Sequence, residues 1–298
     1  MELSFNEDFW YWSHIAVKVG IYLTAMASTG ALLFLVILKP QDEGTRDALL
    51  RRSVSALIIF TILALFEVSV QTAALLDDGP SGLIDVETMN IILVGPMGAS
   101  LFYKLASIAL LMTAILSKLL RPLLSIIGSL ILFFAFTRLG HATHEAWILP
   151  AVLMVHLCAI SFWYGALYPL SKMLGDGATI AEASYLAEKF GKLAIMPVVV
   201  LAAAGTYFAT FTLGSFAALA NSPYGNLILL KLGCVIGLLG LASINKFNLV
   251  PALKSTDRQD AIRLRTSIFL EKCLFLGIFI TTAIVTSTHP PALLLHYR

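Results

Sequence analysis

Six of the 298 residues are histidines, and a reading of chemistry starts from them: His14, His141, His144, His156, His289 and His296. Imidazole suits copper, zinc, iron and nickel, so their placement decides which of these a site could hold. His141 and His144 stand three apart in Gly140-His141-Ala142-Thr143-His144-Glu145. On a helix that spacing shares one face and can chelate one ion, although it also recurs by accident. Met154, His156 and Cys158 suit copper by type, but at helical spacing His156 points roughly opposite the other two. Met154 and Cys158 therefore read as packing residues. His144 and His296 fall near water and read as amphipathic anchors, His144 remaining beside the candidate site. No Gly-x-x-x-x-Gly-Lys-Ser/Thr motif occurs, so no nucleotide hydrolysis of its own drives this chain. No catalytic constellation is expected, and the protein reads as a binder or carrier rather than an enzyme.

Glu67, Lys104, Lys231 and Glu271 are charged residues inside apolar stretches, where an ionisable group marks a functional candidate. Glu67 can ligate a metal, orient a ligand histidine, or pair with Lys104. Lys104 and Lys231 either snorkel to the surface or face the interior, where they would hold an anionic group such as a haem propionate. Glu271 lies within reach of Asn245 and Lys246 and reads as a polar clamp, a place on an ion pathway being the alternative.

The elements that must position these residues follow from composition. Apolar residues make up 58% of the chain and charged ones 13%, against about 25% charged in soluble domains. Eight mostly apolar stretches can each cross a hydrocarbon core ~30 Å thick as a helix rising ~1.5 Å per residue. They run over residues 12–38, 53–76, 98–117, 122–139, 148–170, 193–212, 225–244 and 266–288. The expected fold is all-α: one integral membrane domain, residues 1–298, built as a bundle of eight transmembrane helices with no room for a separate catalytic or nucleotide-binding domain. The first stretch follows Glu2, Glu7 and Asp8 rather than a basic segment and reads as retained. Cys158, Cys234 and Cys273 all fall inside stretches, which argues against a disulfide framework. The net charge of +2 sums over two sides of a membrane and implies no nucleic-acid partner.

Lys and Arg give the orientation. One alternate set of loops holds Lys39, Arg46, Arg51, Arg52, Lys118, Arg121, Lys172, Lys189, Lys192, Lys246, Lys254, Arg258, Arg263 and Arg265; the other holds Arg138 and Arg298. Both termini are thus expected outside, along with every histidine in the outer half or beyond it. His156 would lie about 12 Å deep at ~1.5 Å per residue, with Glu67 near the same depth. Such a layer points to an extracytoplasmic metal site, or to a b-type haem held by two histidines of facing helices. The outer side is also acidic, with Asp77, Asp78, Asp85 and Glu87 among its residues.

A short internal match suggests two halves, 1–145 and 146–298. Gly98-x-x-Leu101-x-x-Lys104-Leu105 aligns with Gly225-x-x-Ile228-x-x-Lys231-Leu232. In the same register of four stretches per half, His14 answers His156 and His141 answers His289, a parallel repeat about the membrane normal.

Residues from about 138 to 291, with His14, resemble the copper resistance protein D family of bacterial inner-membrane proteins. The residues that carry the resemblance are Gly140-His141-Ala142, His156 through Trp163-Tyr164-Gly165, Pro169, Tyr224-Gly225 through Lys231-Leu232, Asn245-Lys246 with Pro251, and Glu271 with Pro290-Pro291. Lys246 stands where the family pattern has Arg, and Met-rich outer loops are absent. The resemblance implies handling of periplasmic copper at the inner membrane, by uptake toward the cytoplasm. Beside membrane lipid, the candidate partners are a periplasmic copper donor protein and a second copy of the chain. His14, His141, His156 and His289 are the expected copper ligands, with haem as the alternative cofactor.

Overall fold

A computed structural model of the chain describes residues 5–76, 79–139, 148–213 and 222–288. Among the described residues every regular element is a helix. The principal ones are α1 (Phe5–Ile37), α2 (Glu43–Leu76), α3 (Val86–Val94), α4 (Pro96–Leu116), α5 (Arg121–Thr137), α6 (Ile148–Met173), α7 (Ile180–Leu193), α8 (Ile195–Leu213), α9 (Pro223–Ile244) and α10 (Arg258–Val285). Each expected apolar stretch coincides with one of them, but not all are equal as spans. Among the described residues six helices, α1, α2, α4, α6, α9 with its continuation, and α10, are long and apolar enough to cross a membrane. The pair α7 and α8, bent by 43° at their junction, meets the same criteria only when taken together, as a broken span or a re-entrant loop. The remaining stretch, α5, has 17 residues, about 26 Å of helix, and falls short of the ~30 Å core.

Two helices lie where the sequence reading placed only loops. α3 starts at Asp85, whose carboxylate accepts from the Thr88 amide at 2.8 Å, an N-cap that holds this acid below the usual carboxylate range. α7 buries Ile180, Ala183, Leu186 and Ala187 on one face and leaves Lys189 and Lys192 on the other. That 3.6-residue periodicity is clear once length is set aside; α7 was passed over because it is too polar to be a span.

The chain forms two compact units. The first comprises Met1–Ala25 and Val54–Met154. In it α4 and α5 pack through small polar residues: the Ser100 hydroxyl donates to the Ala135 carbonyl at 2.9 Å and Ser107 to Gly128 at 2.7 Å. A Cβ on Gly128 would come within 2.8 Å of the Leu111 side chain, so the glycine sets that approach. Gly20 of α1 likewise seats Leu63 of α2.

The second unit comprises Met26–Ser53 and Val155–Arg298. Here α1 meets α6 at Gly30 and Gly165, where a Cβ on either would fall within 2.6 Å of the other's backbone. Thr29 and Ser161 exchange a hydrogen bond of 2.7 Å beside that crossing. Trp163 and Tyr164 of α6 pack edge-on against Phe275 of α10. Glu182 of α7 accepts from the amides of Gln41 and Asp42, which ties α7 to the turn between α1 and α2. The units differ from the expected halves 1–145 and 146–298, because residues 26–53 belong with the later part of the chain.

Candidate functional site

In the first unit, α1 carries His14, a half-buried residue whose Nδ1 is fully buried with no hydrogen-bond partner. Lys18, Glu67 and Lys104 are the charged groups within electrostatic reach of it. Glu67 of α2 and Lys104 of α4 are 3% and 2% exposed, and Lys104 Nζ lies 2.6 Å from Glu67 Oε2. The ammonium also faces the Phe136 ring at 5.9 Å. Of the three readings open for Glu67, the structure shows the ion pair. Of the two readings open for Lys104 the structure shows the interior one: the side chain is buried, because a carboxylate in an apolar interior needs a countercharge more than the lysine needs water.

In the second unit, α6 carries His156, also half-buried, and its Nδ1 is again buried without a partner. Lys231 of α9 lies within electrostatic reach, is half-buried, and makes no ion pair among the described residues. Met154 lines an apolar groove with Phe102, Tyr103 and Phe134, the packing role the sequence assigned to it. The aligned segments around Lys104 and Lys231 both begin in the first turn of helices that open on proline, Pro96 and Pro223.

His141, His144, His289 and His296, with Glu145, lie outside the described residues. Among the described residues no three His, Cys, Asp or Glu side chains stand close enough to hold a metal. What the described part does offer a metal is the pair of orphaned Nδ1 atoms. A buried imidazole nitrogen without a partner costs roughly 1–3 kcal/mol, which ligation removes, and a neutral imidazole with a free lone pair is the form that ligates. The two histidines fit copper by donor type.

A third polar cluster lies at the middle of α10, within the second unit. Glu271, 3% exposed, accepts from Trp163 Nε1 at Oε2 over 3.0 Å and from Asn245 Nδ2 at Oε1. Asn245 was expected there; Lys246 was expected too, but its ammonium lies 5.6 Å over the Phe247 ring instead. Trp163 was not connected to Glu271 in the sequence, since 108 residues separate them. Asn245 also opens a π-helical turn, Asn245–Leu249.

Two family models match the chain. The one described as Copper resistance protein D-like, N-terminal domain, matches residues 7–149, and the one described as Copper resistance protein D matches residues 184–285. The first extends the likeness over the part of the chain that the sequence reading tied to it through His14 alone. No curated protein matches, and no solved structure does.

Proposed function

Since the chain belongs to the copper resistance protein D family, we propose that this multi-pass membrane protein takes copper at its periplasmic face and passes it inward. His14, His141, His156 and His289 serve as the ligands in this reading, and a periplasmic donor protein delivers the ion. The carrying observation is that both described members of the set leave a buried Nδ1 unpartnered. Of the charged groups within reach of His14, Glu67 and Lys104 are committed to each other. Glu67 and Lys104 neutralise one another, so the acid tunes the surroundings of the site electrostatically instead of competing as a ligand. The basic asymmetry of the loops supports both termini outside, in the bacterial inner membrane, with α5 completing eight crossings as a short span in a locally thinned bilayer.

Protein purified from copper-supplemented cells should retain copper by elemental analysis and show no Soret band. A Soret band with copper absent would replace this reading with a bis-histidine haem protein.

A further inference from the structure

We propose that Glu271, Asn245 and Ser267 form a second site in the second unit, one that holds a single positive charge as either a proton or a sodium ion. It uses none of the copper histidines and does not rest on the copper reading.

The carboxyl of Glu271 is buried and both its oxygens accept hydrogen bonds, yet it makes no ion pair: the three ion pairs among the described residues lie elsewhere. Its hydrogen-bond donors are neutral. The basic groups of the neighbouring elements have other company. Lys246 faces the Phe247 ring, and Lys272 shares its surroundings with Arg52 and Arg265. Tyr164, the titratable neighbour on α6, packs against Phe275 and Phe279. An ionised carboxylate left so deep without a countercharge is costly, and one positive charge brings the site to neutrality. A divalent ion would leave one charge in excess.

Two further side chains point to a ligand. Asn245 is 8% exposed and its Oδ1 is buried with no partner; Ser267 is 7% exposed and its Oγ is buried with no partner. Ser267 is one helical turn from Glu271 on α10, and so on the same face. The Asn245 amide can be turned over, since its oxygen and nitrogen are assigned from the hydrogen bonds they make. Turned over, Oδ1 faces the Glu271 carboxyl, and that contact is a hydrogen bond only when the carboxyl is protonated. In either orientation the cluster lacks one positive charge.

The donor set is carboxylate, amide oxygen and hydroxyl. Oxygen donors of this kind suit hard cations and not a soft copper ion. The π-helical turn that begins at Asn245 inserts a residue into the helix at this point, a feature that recurs at functional sites.

Infrared spectroscopy of the full chain in lipid nanodiscs tests the proposal. In sodium-free buffer at neutral pH the wild type should show the carbonyl stretch of a protonated carboxylic acid that shifts in deuterium oxide and on labelling with carbon-13 glutamate. Glu271→Gln should lack it. Loss of the band on adding sodium chloride, but not choline chloride, assigns the charge to sodium; a band indifferent to both salts assigns it to a proton. Trp163→Phe, which removes a donor to the same carboxyl, should move the band's frequency and keeps the test decisive if Glu271→Gln fails to fold. A wild-type spectrum without the glutamate band under sodium-free conditions, or a band unmoved by Trp163→Phe, would overturn the proposal.

Discussion

At the scale of single residues, the buried Glu67–Lys104 pair shows how an apolar setting decides between readings that the sequence leaves open. A lone Lys104 can snorkel; a Lys104 that faces Glu67 at 2.6 Å inside the first unit cannot leave it uncompensated. Removing one partner should therefore cost far more than removing both. Lys104→Met should destabilise the protein by about 3–5 kcal/mol, and Lys104→Met combined with Glu67→Gln should recover most of that loss, as read from thermal unfolding of the purified variants. A double variant no more stable than the single one would mean that the pair contributes no electrostatic coupling. The pairing of Glu67 with Lys104 was among the readings open in the sequence, whereas Trp163 as a partner of Glu271 was not, because a contact across 108 residues leaves no trace in local spacing.

At the scale of elements, helix existence was legible and helix role less so. Length and apolarity locate α1, α2, α4, α6, α9 and α10, because a span is set by bilayer thickness. The same criteria passed over α7, whose polar face serves the turn between α1 and α2 through Glu182. The approach of α1 to α6 depends on two glycines that sequence alone does not distinguish from the other eighteen of the 20. Gly30→Ala would place a methyl 2.4 Å from the Ser161 carbonyl and should destabilise by about 1–3 kcal/mol through overpacking. Gly233→Ala, where an added Cβ meets nothing within 4 Å, should be near neutral in the same melting experiment. Equal melting temperatures for the two would contradict the close packing of these helices.

At the scale of the whole molecule, the sequence pattern of basic loops on one side and histidines on the other remains the basis for the proposed direction of copper entry. The compact units cut across the expected halves because residues 26–53, which continue α1 into the start of α2, pack with the later part of the chain through Gly30 and Thr29. A repeat read from helix register carries no information about such an exchange. Family membership was legible from ordered motifs in the second part of the chain, and the match over residues 7–149 extends it to the first. The central claim is that imidazoles hold the copper, and it is tested most directly by the copper stoichiometry of purified His156→Ala beside wild type and His296→Ala, each verified as folded. The account predicts that His156→Ala loses all or most of its copper while His296→Ala keeps the wild-type amount; full copper retention by His156→Ala would contradict it.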